Sequence, residues 1–223
     1  MKCVVAEKLR LGVIKVLTRH DPEWLNNHGR IIERLFPDIQ TVTRCIEDQP
    51  QGIFDEATLK MAEPKILRLA SEMIREGLDG LFVSCAEDPA VEIIKQSAKI
   101  PILGAGTASA LMALSYRKSV GVLGLDAKAP TPMQLLLGDR MIGAARPKGV
   151  INALDLYKPG AEDAFIAAAR DLHDKGAGVI ALACTGFSTL GIAPMLSHRV
   201  GIPVVDPVVA GGYFIRYMMS TGH

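Results

Sequence analysis

The sequence predicts an α/β fold of two pseudo-symmetric lobes, each a mostly parallel sheet flanked by helices, with a site between them. Two observations predict it. Apolar runs of strand length alternate with helix-length stretches along the chain. The order of those runs also repeats: Gly77–Cys85 resembles Gly176–Cys184 in register, 99 residues on. Ile100–Leu103 resembles Ile202–Val205 at an offset of 102, and Leu11–Ile14 resembles Val120–Leu123 at 109. An order that holds while the spacing drifts is what loop insertions in a duplicated unit produce. The lobes are expected over residues 1–104 and 105–206, with a C-terminal helix over 207–219 joining the first lobe.

In chain order, Leu11–Leu17 is an apolar run too short for a helix and reads as a buried strand. Asp21 is placed to cap a helix with Pro22 at its first position, and Pro37 stops that helix at about Phe36. Ile39–Ile46 alternates and is rich in β-branched residues, which predicts a strand. Asp48–Gly52 is a turn cluster. Asp55–Glu76 reads as helix with a break at Pro64, closed by Gly77. Gly80–Ser84, Ile100–Leu103 and Ser119–Leu123 read as strands, separated by helices over Pro89–Ala98 and Thr107–Tyr116. Thr131–Leu137 is expected to be helical and Val150–Leu154 extended. Gly160–Lys175 is a helix rich in alanine and charge, with Gly176 at its end. Val179–Ala183 is a strand, Thr189–Arg199 one helix across Gly191 and Pro194, Pro203–Val205 a strand, and Pro207–Met219 a final helix.

Composition narrows the function classes. Hydrophobic residues make up 49% of the 223, enough for a sizeable core. The net charge is +1 with cations spread evenly, and aromatics are 5%, so neither the electrostatic footprint nor the stacking surface of a nucleic-acid binder is present. No apolar run approaches the ~20 residues that span a bilayer. Met1–Arg10 lacks the apolar centre of a signal peptide. A soluble, cytoplasmic protein is expected, with neither nucleic acid nor membrane as partner and its four cysteines reduced. The five histidines share no metal-ligand spacing, so no metal is expected.

The chemistry is expected at Cys85 and Cys184. Each ends an apolar strand and precedes a helix start, at equivalent places in the repeat. Open α/β sheets bind ligands at the carboxyl ends of their strands, so the repeat predicts two thiols facing one cleft. A nearby helix N-terminus favours a thiolate. One thiolate can take a proton from carbon while the opposite thiol returns one to the other face, inverting a stereocentre without a cofactor. Thr185 and the Gly186 amide are placed to stabilise the developing negative charge. Cys45 is expected to pack and Cys3 to lie in a mobile terminus. Asp88-Pro89 reads as the N-cap and first residue of the helix over Pro89–Ala98, and Glu87 as facing solvent. A competing pattern is Gly104-Ala105-Gly106-Thr107-Ala108-Ser109 with Asp126 beyond it, a partial dinucleotide fingerprint whose third small position is Ser109. In the repeat those glycines instead serve a close crossover between lobes.

These residues resemble the aspartate/glutamate/hydantoin racemase superfamily over nearly the whole chain. Ser84-Cys85-Ala86-Glu87-Asp88-Pro89 is similar to the first motif of the hydantoin racemase branch. Cys184-Thr185-Gly186-Phe187 is similar to the second, without the histidine that follows in glutamate racemases. The resemblance implies a cofactor-independent racemase or epimerase acting on an amino-acid derivative, hydantoin-like or related. It implies Cys85 and Cys184 as the acid/base pair. Substrate contacts are expected at Thr18, Ala86, Thr185 and Gly186, and a homo-oligomer is a further option. The branch's Asn-Pro-Asn after the first strand is replaced by Lys15-Val16-Leu17-Thr18, where Thr18 offers the polar group. Its paired threonines after the fifth strand are replaced by Gly124–Lys128. Two other readings stand beside this one. A maleate-type cis–trans isomerase also uses two cysteines, and a non-catalytic small-molecule binding protein could be built on the same cleft.

Overall fold

The computed structural model describes residues 8–221, which leaves Cys3 outside the described residues. Two four-stranded parallel sheets form its frame. The first contains β1 (Leu9–Lys15), β2 (Ile39–Cys45), β3 (Gly80–Ser84) and β4 (Ile102–Gly104) in the order β2-β1-β3-β4. The second contains β5 (Val120–Leu123), β6 (Met141–Ala145), β7 (Val179–Leu182) and β8 (Val204–Val205) in the order β6-β5-β7-β8. The second order is the first repeated, strand for strand. It pairs β3 with β7 and therefore Cys85 with Cys184.

Helices cover both faces: α1 (Pro22–Leu35), α2 (Glu56–Arg75) and α3 (Val91–Ser97) in the first half, then α4 (Ala105–Ser115), α5 (Thr131–Leu137) and α6 (Ala161–Asp174). α7 (Gly186–Leu190), α8 (Ala193–Val200) and α9 (Pro207–Thr221) complete the chain. The Asp21 side chain accepts from the Trp24 amide with Pro22 in the first turn, as the sequence predicts. α9 returns to the first sheet, where Gly211 lies against the Phe82 ring and Arg216 pairs with Asp38.

Three expectations need correction, and one strand was missed. α2 runs unbroken through Pro64, which stands on its exposed side, where water can satisfy the carbonyl that proline leaves without a donor. The helix expected over Thr189–Arg199 is two, because Gly191 takes a left-handed φ of +64° and ends α7. Val150–Leu154 is not a strand: Asn152 caps a 3-10 segment over Ala153–Tyr157. The edge strand is Met141–Ala145, whose glycine and alanines carry little strand propensity.

The joint between the sheets is α4. Ala105, Ala108, Ala110 and Ala113 are buried in a core shared by β3, β5 and β7. Side chains this small let the helix sit close to both sheets at once. Ser109 Oγ donates to the Leu182 carbonyl at 3.0 Å, anchoring α4 to the strand that carries Cys184.

Candidate active site

β1 and β3 are neighbours, and so are β5 and β7, so the strand order reverses at those two places. Ligands of open α/β sheets bind at the carboxyl ends beside such reversals. Cys85 follows β3 and Cys184 follows β7, and both line one cavity of about 360 Å³. They are free thiols, 8% and 9% exposed. In each lobe the amide two residues on faces the sulfur. Gly186 N donates to Cys184 Sγ at 3.3 Å, and the Glu87 amide does the same for Cys85. Those amides favour thiolate, but burial outweighs them. It pushes Cys184 up to about 11 and Cys85 well above its usual value.

Ala86, Thr185 and Gly186 line the same cavity. The Thr185 hydroxyl donates to the Ser84 carbonyl at 3.0 Å, tying the second cysteine loop to the strand of the first. Thr18, expected as a substrate contact, is not among the lining residues. Its hydroxyl donates to the Ile46 carbonyl at 2.6 Å and accepts from the Gln49 amide at 2.7 Å. Thr18 therefore holds the 46–55 loop, which rims the cavity with Gly52, Ile53, Phe54 and Asp55. Glu87 does not simply face solvent: it lines the cavity, with the Thr131 amide against its carboxylate, and burial raises its pKa. Cys45 is partly buried, its sulfur toward the Arg19 carbonyl at 3.6 Å.

A buried polar chain behind the cysteines was not visible in the sequence. Lys15 Nζ donates to Asn27 Oδ1 at 2.9 Å, and Asn27 Nδ2 donates to Thr189 Oγ1 at 3.2 Å. His28 lies 2.8 Å from both Thr189 Oγ1 and Ser84 Oγ. Burial and then the nearby Lys15 hold His28 far below its usual pKa, so the ring is neutral and bridges the two hydroxyls. Lys15 is 3% exposed and pairs in the sheet with Ser84, the residue before Cys85. The one available signal was a lysine directly after the apolar run Leu11–Ile14.

The glycine pattern at Gly104 has a local explanation. The Asp88 carboxylate accepts from the Gly106 and Thr107 amides, each at 2.7 Å, and so occupies the start of α4 where a phosphate would sit. A Cβ at Gly104 would strike Asp88, and one at Gly106 would strike the Ala86 carbonyl. The glycines serve this crossover. Among the described residues no group of three or more His, Cys, Asp or Glu is placed to hold a metal, and no helix is long and apolar enough to cross a membrane.

Comparison with known proteins agrees with this geometry. The family model described as Asp/Glu/Hydantoin racemase matches residues 30–212. A hydantoin racemase of Rhizobium meliloti is 26% identical over 184 residues, covering 79% of this chain and 75% of that protein. The solved allantoin racemase of Pseudomonas fluorescens superposes with a TM-score of 0.80 at 18% identity, over 96% of this chain and 92% of that one. The allantoin racemase of Klebsiella pneumoniae gives 0.77 at 21% identity, over 96% and 89%. The duplicated sheets and the two cysteine motifs thus carry a family identity: this chain belongs to the Asp/Glu/Hydantoin racemase family, on its hydantoin racemase branch, and is an isomerase of the racemase class.

Proposed function

We propose that the protein racemises a hydantoin-like amino-acid derivative by proton transfer between Cys85 and Cys184. One observation carries this reading: two thiols at equivalent strand ends line a single cavity, each with an amide at its sulfur. For one enantiomer, one sulfur, as thiolate, takes the proton from the stereocentre. The electron pair moves onto the adjacent carbonyl oxygen as an enolate. The opposite thiol then protonates the carbon from the other face and becomes the thiolate. For the other enantiomer the roles exchange. Ala86, Thr185 and Gly186 border the reacting atoms, and their loop amides favour the enolate charge. Nothing in this cycle requires a cofactor.

Optical rotation of single-enantiomer 5-substituted hydantoins tests the reading. The wild type should bring rotation to zero. Cys85→Ser and Cys184→Ser should each slow this by at least about 10²-fold, the scale on which general acid–base groups contribute. Wild-type rates in both variants would refute the two-thiol mechanism. Ligand binding without racemisation across the panel would favour a binding protein on the same cleft, and isomerisation of maleate the cis–trans isomerase.

A further inference from the structure

We propose that Lys15 makes this site selective for a substrate that carries a carboxylate. The inference rests on the racemase reading for where substrate lies, and it assigns a recognition group to that site.

Lys15 closes β1, is 3% exposed and lines the cavity alongside both cysteines. Two of its three N–H donors have protein partners, the Trp24 carbonyl at 2.8 Å and Asn27 Oδ1 at 2.9 Å. The Trp24 ring lies beneath it, 3.4 Å from Nζ to the ring centroid. No carboxylate pairs with it among the described residues; the titratable groups beside it are Cys45 and Arg19. A lysine this buried is matched by an anion or holds its proton weakly, and burial does bring this one down to about 7. Here the cavity is where that anion would come from.

The surroundings favour a built subsite over a stray cation. Asn27 is itself fixed through Thr189 and His28 to Ser84, so the ammonium is held by a chain of side chains that ends beside Cys85. Arg19 also lines the cavity, with its guanidinium 5.7 Å from the same Trp24 ring. Positive charge therefore gathers on the β1 and α1 side. Glu87, with Asp126 and Lys128 near it, lines the cavity beside Cys85. A carboxylate docked on Lys15 would gain a charge-assisted hydrogen bond and supply the missing counter-charge. A neutral isostere would supply neither.

The test compares racemisation of 5-(2-carboxyethyl)hydantoin with that of its carboxamide isostere, in wild type, Lys15→Met and Lys15→Arg. The wild type should prefer the acid by about tenfold or more in kcat/KM, the effect of one hydrogen bond to a charged group, and mainly through KM. Lys15→Met should collapse that ratio toward one, and Lys15→Arg should restore part of it. A wild-type ratio near one overturns the proposal, as does a ratio that Lys15→Met leaves intact while both rates fall together. Glutarate binding by calorimetry separates the two readings. If neither hydantoin reacts, the racemase reading fails, yet glutarate binding lost in Lys15→Met still supports the subsite. Glutarate binding that is absent, or equal in both proteins, counts against it.

Discussion

At the two sulfurs, burial and backbone amides act in opposite directions, and burial wins. With Cys184 pushed up to about 11 and Cys85 also raised, thiolate is the minor form at neutral pH. For a neutral hydantoin, kcat/KM should therefore climb through the neutral range, close to tenfold per pH unit between about pH 7 and 9, because it reports the free enzyme's ionisation. A profile flat from pH 7 would mean that a thiolate is already formed in the empty site. The alkaline midpoints belong to the coupled pair of thiols.

Lys15 gives an independent pH signature in stability. Burial lowers its pKa to about 7. Between about 7 and the unfolded value of 10.5 the unfolded chain binds the extra proton, so folding becomes more favourable as pH rises through that window. Lys15→Met lacks this dependence. Its stability relative to wild type should be highest at pH 7 and below, and should decline by up to roughly 4 kcal/mol toward pH 10, in urea titrations at matched pH. The thiols cancel in the difference because both proteins carry them. A constant difference would show that Lys15 is not held as a buried base. The cysteines were legible in sequence because two similar strings mark equivalent positions. Lys15, Asn27, His28 and Thr189 were not, because their roles come from partners up to 162 residues away. Thr18 was misread for the same reason: a polar side chain in the right loop reveals nothing of where its hydroxyl is used.

Among the elements, α4 decides whether the two cysteine loops keep their relative positions. Asp88 sits at φ +49° and caps α4 rather than the α3 that follows it, beside Gly104 and Gly106. Asp88→Ala should cost about 1–2 kcal/mol, as loss of a helix cap does, and lower Tm by a few degrees. Gly106→Ala should cost about 1–3 kcal/mol, since its methyl meets the Ala86 carbonyl, which is backbone and must move. Gly106→Ala should also reduce racemisation, because Ala86 adjoins Cys85. Unchanged melting in both variants would remove α4 from its positioning role. Strongly patterned elements were readable, including β1, β3, β7, α1 and α6. β6 was not, because Met-Ile-Gly-Ala-Ala has neither alternation nor branching to mark it. The repeat could have found it: its start, Met141, lies 102 residues after Ile39, an offset within the range of the other strand pairs.

Across the whole molecule, the feature that organises everything else is the repeated strand order of the two sheets. It sets one cysteine at each reversal and points both into one cavity. That much was legible from the offsets between strands. The substrate was not, since this chain departs from the branch at Lys15–Thr18 and Gly124–Lys128, stretches whose Lys15, Gly124, Leu125, Asp126 and Lys128 line the cavity. The two-thiol mechanism assigns each sulfur one face of the stereocentre. It is tested most directly in heavy water, by following the α-proton of each hydantoin enantiomer separately by NMR. Wild type should incorporate deuterium as rotation falls. Cys85→Ser should still exchange the α-proton of one enantiomer, without inversion, and Cys184→Ser that of the other. Exchange of both enantiomers by either variant, or the same enantiomer surviving in both, would contradict the account.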